Sequence, residues 1–109
     1  MTDTPQPCWP GQRPGHPHDE LLASYLVLDI QRSDEWAAEL CERVRLVGSG
    51  AQTSWVRSGN AYHLILTRDT ASIELLDGPG EGQPTQIPLD ELRAAADAWR
   101  EQIASPNEA

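Results

Sequence analysis

Hydrophobic and polar positions along the chain change period from segment to segment, and each change marks an element. Trp36, Leu40, Cys41, Val44 and Val47 recur at three- and four-residue steps, which is the stripe of an amphipathic helix. Ser33 stands where a cap is needed, Asp34 and Glu35 suit the positive end of the helix dipole, and Gly48 supplies a stop. The spacing predicts a helix over 34–47. From Thr53 the period falls to two. Thr53, Trp55 and Arg57 alternate with Ser54, Val56 and Ser58; Tyr62, Leu64 and Leu66 with His63, Ile65 and Thr67; Ala71, Ile73 and Leu75 with Ser72, Glu74 and Leu76. Gly59 with Asn60 gives a two-residue turn signal and Arg68, Asp69 and Thr70 a second reversal. Residues 53–77 therefore predict a three-strand antiparallel meander. Leu92, Ala95, Ala96, Trp99 and Ile103 then form a second helical stripe, with Pro88 near its first position and Asp90 and Glu91 in its first turn.

The remaining segments are less regular. In residues 20–31, Tyr25, Leu26, Val27, Leu28 and Ile30 come in nearly unbroken succession. A short run of this kind reads as a strand buried on much of both faces, with a buried helix as the competing reading. Residues 1–19 hold five of the nine prolines and read as an extended, mostly disordered arm pinned by Trp9. Residues 77–86, rich in glycine and proline, read as a long mobile loop. The expected order is β-α-β-β-β-α. It describes an α+β domain over residues 20–105, with an antiparallel sheet of about four strands, two helices on one face, and a short tail at 106–109.

Composition narrows the function classes. The chain has 109 residues, 17 acidic against 8 basic, and a net charge of −9. One domain is expected at this length, burying roughly two-thirds of its unfolded surface. All the basic residues are arginine, which base composition of the genome explains without any functional demand. Such acidity disfavours nucleic acid and anionic lipid as partners and suits a cationic protein. Cys8 and Cys41 make no disulfide framework. No apolar run reaches a membrane span and no signal peptide is evident, so a cytoplasmic location is expected.

Candidate chemistry is sparse. His16, His18, Asp19 and Glu20 look like a ligand set but lie in a segment that offers no rigid geometry, so no metal is expected. His63 reads as an ordinary strand histidine and Cys41 as a buried, unreactive thiol. Neither glycine-rich nucleotide motif is present, and no cofactor or catalytic residue is assigned. One charge distribution stands out. Between positions 69 and 91 lie Asp69, Glu74, Asp77, Glu81, Asp90 and Glu91 and no arginine. This stretch is a candidate docking surface for a basic partner. Of the tryptophans, Trp36 and Trp99 are expected in the core, whereas Trp55 is either core or an interface anchor.

Gly48 and Ser49 followed by Ser54-Trp55-Val56-Arg57-Ser58-Gly59-Asn60-Ala61-Tyr62-His63-Leu64 resemble the YacL-like bacterial proteins, which carry G-S and then S-W-x-R-x-G-x-x-Y-x-L in that order. Residues 89–100, ending in Trp99 and Arg100, look like their closing helix. The resemblance covers about half of the chain, most specifically from Trp55 to Tyr62, and implies a small acidic cytoplasmic protein without an assigned catalytic site. Small acidic α+β domains also serve as immunity proteins in bacterial toxin systems, including contact-dependent inhibition, an analogy of size, charge and fold class. The function expected is therefore non-catalytic binding of another protein, a basic toxin domain in the most concrete form. The alternatives are a housekeeping or regulatory YacL-like protein with no toxin partner, and a small-ligand binder.

Overall fold

The computed structural model describes residues 6–76 and 84–104. Helix α1 (Pro17–Tyr25) runs directly into a π-helical turn (Leu26–Ile30). Helix α2 (Asp34–Ser49) comes next, then strands β1 (Trp55–Ser58), β2 (Tyr62–Leu66), β3 (Thr70–Leu75) and β4 (Thr85–Pro88), and helix α3 (Leu89–Ala104). The strands form one antiparallel sheet in the order β1-β2-β3-β4. The class is α+β, in agreement with the periodicities, but two segments differ from their expected state.

Residues 20–31 are helical, not a strand. Leu22, Tyr25, Leu26, Asp29 and Ile30 are buried, at steps of three and four that describe a helix face. The signals that start this helix lie upstream, inside the segment expected to be an arm. His16 caps it, its Nδ1 accepting from the His18 backbone N–H at 3.2 Å. Pro17 fills the first helical position, and Asp19 and Glu20 occupy the first turn. The described part of that arm is accordingly part of the domain. Trp9 is buried in the core cluster, and Asp19, itself buried, takes the Arg13 guanidinium at 2.9 Å.

The fourth strand of the sheet is instead β4, a four-residue segment that overlaps the expected loop. Of its residues only Ile87 is buried, too weak a pattern to be seen without its partner β3. The other boundaries shift slightly. Helix α2 ends at Gly50, whose φ of 87° provides the left-handed cap, and not at Gly48. The β1–β2 turn centres on Asn60 and Ala61, with the Gly59 N–H donating to the Tyr62 carbonyl at 2.9 Å. The start of α2 is as expected, with Ser33 Oγ accepting from the Trp36 N–H at 3.1 Å.

One face of the sheet is covered. Tyr62, Leu64, Leu66, Ala71, Ile73 and Ile87 point into a single core with Leu22, Leu26, Ile30, Leu40, Val44, Leu92 and Trp99. The opposite face carries Val56, Ser58, His63, Ile65, Ser72, Glu74 and Gln86, exposed or half-buried. Within the helical layer, α3 lies on β3 and β4 and packs against α1 and α2. Trp99 is in the core as expected, its Nε1–H donating to the Gln31 carbonyl at 2.7 Å. Trp36 is not: it is 39 % exposed. Replacing Ser33 by Ala should destabilise the domain by about 1 kcal/mol through loss of the cap. Leu22→Ala should cost about 3 kcal/mol, because it leaves a cavity in the core. Urea denaturation followed by circular dichroism measures both.

Candidate functional site

A buried polar constellation joins the π-helical turn to the β1–β2 hairpin. The Gln31 N–H donates to the Leu26 carbonyl, five residues back, at 2.6 Å. Gln31 itself adopts φ 61° and ψ −152°, a conformation that costs a non-glycine residue of order 1–3 kcal/mol. A π turn inserts one residue into the helical frame and so rotates the side chains beyond it. Asp29, inside this turn, is fully buried. The Asp29 carboxyl accepts from the backbone N–H of Ala61 at 2.8 Å and of Tyr62 at 3.0 Å, so an acid inside the core is satisfied by main-chain donors from the turn.

Further residues close around it. Arg57 donates from Nη2 to the Asp29 carbonyl at 3.4 Å, and its guanidinium lies 5.1 Å from the centre of the Trp36 ring, a cation–π contact. Gly59 is required by space. A Cβ there would run into Asp29 Oδ2 and stand 2.7 Å from Arg57 Nη1. Tyr25, fully buried, packs its ring 6.0 Å from that of Tyr62. Burial pushes the Tyr25 hydroxyl up to about 12; Arg57 pulls it down and Asp29 raises it further. Tyr25 Oη and Arg57 Nη1 are buried with no hydrogen-bond partner. Arg57, Gly59 and Tyr62 thus converge on one residue, Asp29.

The acids of the candidate docking surface separate. Asp69, in the β2–β3 turn, and Asp90, in the first turn of α3, are both exposed at the same end of the sheet, where the Leu89 N–H donates to the Asp69 carbonyl at 2.9 Å. Glu91 is turned toward Arg13 at 2.9 Å and His18 at 3.4 Å. Glu74 lies on the open face, paired across the strands with His63. Asp77 and Glu81 fall outside the described residues. Trp55 is half-buried and packs against the core from the covered face. The stretch without arginine in sequence is not so in space. Arg45, Arg68 and Arg93 line a groove of about 280 Å³ together with Asp69 and Asp90.

The other candidate residues have structural surroundings. His16 caps α1, His18 faces Glu91 and Asp19 holds Arg13. Among the described residues no three metal-ligating side chains converge. His63 Nδ1 is 2.8 Å from Ser58 Oγ. Cys41 is half-buried, and burial together with Asp97 raises its thiol to about 12, so the unreactive state dominates at neutral pH. No helix among the described residues is long and apolar enough to cross a membrane.

Comparison with protein-family models, curated proteins and solved structures returns no match for this chain.

Two outcomes test the constellation. Asp29→Ala should cost about 3 kcal/mol, because two main-chain donors lose their acceptor; Gly59→Ala should cost about 2 kcal/mol by overpacking. Both are read by denaturant titration. The second concerns alkaline pH. The Tyr25 pKa is raised in the fold above its ordinary value of 10.0, so its contribution to stability is present below about pH 10 and lost as pH rises toward 12. The denaturation midpoint should fall across that window, and Tyr25→Phe should flatten the fall.

Proposed function

We propose that this domain works by binding a basic protein, and that its most concrete form is an immunity protein occluding a cationic bacterial toxin domain in the cytoplasm. The observation that carries this reading is the division of the acids into two groups. Asp19 and Asp29 are buried and hold the fold together, the first through Arg13 and the second through the hairpin amides. Asp69 and Asp90 stay exposed beside Arg45, Arg68 and Arg93, and the chain as a whole carries a net charge of −9. A negative field of this kind raises encounter rates with a cationic surface and disfavours acidic competitors. The Asp29 carboxyl buried at the hairpin is taken up by main-chain amides, which supports a scaffold that presents a surface. The resemblance to YacL-like proteins accords with a small acidic protein of this kind.

Gene order supplies the first test. An immunity gene lies directly downstream of a large toxin gene, and co-expression of this chain should then protect cells from that toxin domain; a lack of protection removes the toxin form of the proposal. The electrostatic mechanism is tested on the same pair by stopped flow. Asp69→Asn with Asp90→Asn should slow association by about tenfold at low salt, and the difference should shrink as salt screens the charges. An association rate indifferent to salt and to both substitutions contradicts it.

A further inference from the structure

Residues 6–15 form no helix or strand, yet they sit on the domain as a bound peptide would. Pro7 and Trp9 are buried and alternate with exposed Gln6, Cys8 and Pro10, the pattern of an extended segment with one side turned inward. Both ends of the segment are fixed on α3. The Gln102 side-chain amide donates to the Gln6 carbonyl at 2.9 Å, and Arg13 Nη2 donates to Glu91 Oε1 at 2.9 Å. The segment therefore runs antiparallel to α3 along about 16 Å of helix. Trp9, Pro10, Gly11 and Arg13 share a groove of about 290 Å³ with Asp19 of α1 and with Glu91 and Ala94 of α3. The Gln12 N–H donates to the Trp9 carbonyl and the His16 N–H to the Arg13 carbonyl, both at 3.1 Å. Among the described residues, 6–15 make no other hydrogen bond from main chain to main chain. What ties them to α1 and α3 runs through side chains. Helix α1 has its own start signals, since His16, Pro17, Asp19 and Glu20 all follow the segment.

We infer that the groove between α1 and α3 is a binding site for an extended, proline-rich segment of another protein that carries tryptophan and arginine, and that residues 6–15 occupy it as a tethered stand-in. The inference rests on the binding role proposed above and names a site and an occupant for it. The occupant's chemistry is that of the segment already seated there. Positions 6–15 hold no acid, in a chain that has 17. Arg13 is gripped by two carboxylates. It binds the buried Asp19 in bidentate fashion, from Nε at 3.1 Å and Nη2 at 2.9 Å, and it reaches Glu91 as well. Such a fork fits a guanidinium better than an ammonium. Tryptophan and arginine are also the side chains that most often anchor interfaces, and proline-rich segments enter grooves already extended, at low entropic cost. Tethering sets the competition. A short linker holds its occupant at an effective concentration on the order of millimolar, so the resident segment screens out weak ligands. The same segment from a second copy would have to bring together two chains of net charge −9, which opposes exchange between copies.

The test uses the whole chain in three forms, wild type, Trp9→Ala and Arg13→Gln, with a fluorescent synthetic peptide of residues 6–15 carrying Cys8→Ser. Loosening the resident segment should open the groove. The Trp9→Ala chain should bind the peptide at least about tenfold more tightly than the wild-type chain, with Arg13→Gln between them. Peptides that themselves carry Trp9→Ala or Arg13→Gln should each bind at least about tenfold more weakly. Amide shifts in the labelled Trp9→Ala chain should centre on Asp19, Glu91 and Ala94. Equal affinity of all three chains overturns the inference, as does binding indifferent to the peptide's tryptophan and arginine. Loss of the folded circular dichroism spectrum in both variants also overturns it, because the segment is then a fixed part of the core. A wild-type dimer that exchanges these segments between copies overturns it too. Failure of every peptide to bind removes this site and leaves the association kinetics of the toxin pair to decide the broader binding role.

Discussion

Asp29 is the buried acid on which the arrangement of this domain turns. Its carboxyl group has no exposure and lies between an irregular helical turn and the first hairpin of the sheet. Leaving such a group without partners costs more than most single contacts return, so the amides of Ala61 and Tyr62 must be in place whenever the π-helical turn is. The two segments are more than thirty positions apart and still form a single unit. Other local features answer the same demand. Gly59 is there because a side chain would collide with the carboxyl, and Gln31 accepts an unfavourable backbone so that the chain can leave the π turn and enter α2.

Much of the fold is legible in the sequence because periodicity reports directly on burial. The stripe of α3 and the alternation in β2 and β3 match the core closely, with Leu64, Leu66, Ala71, Ile73, Leu92 and Trp99 all buried. The strand assignment of residues 20–31 fails for a specific reason. Val27 and Leu28 fill the gap in a helical stripe with apolar residues, and that gap is what tells a half-buried helix from a buried strand. In the structure Val27 is half-buried and Leu28 exposed. β4 is illegible for the opposite reason. It holds one buried side chain, and its pairing with β3 is a tertiary fact.

The site is less legible than the fold. Asp29 stands alone in the run Leu26, Val27, Leu28, Asp29, Ile30, and an acid flanked by apolar residues is a signal that something must satisfy it. Nothing local names the donors, because they are main-chain amides of a distant turn. Trp36 departs from its expected place because its spacing fits the α2 stripe, while its ring lies at the first turn, where the core ends and Arg57 offers a cationic face. Linear charge counting also has a limit here. No arginine lies between positions 69 and 91, but Arg68 and Arg93 border the stretch, and folding brings Arg13 to Glu91 and Arg45 to the groove that Asp69 and Asp90 line.

The hydrogen bond from Trp99 to the carbonyl of Gln31 joins positions 68 residues apart. Its consequence belongs to synthesis. A chain leaving the ribosome from its N-terminus exposes Leu22, Tyr25, Leu26 and Ile30 long before residue 99 has been added, and the hairpin that satisfies Asp29 comes midway between. Folding must therefore wait, first for Ala61 and Tyr62 and then for α3, with the apolar face of α1 uncovered in the meantime. The molecule closes late, and during that interval its first helix is the part most in need of a chaperone or of a partner already present.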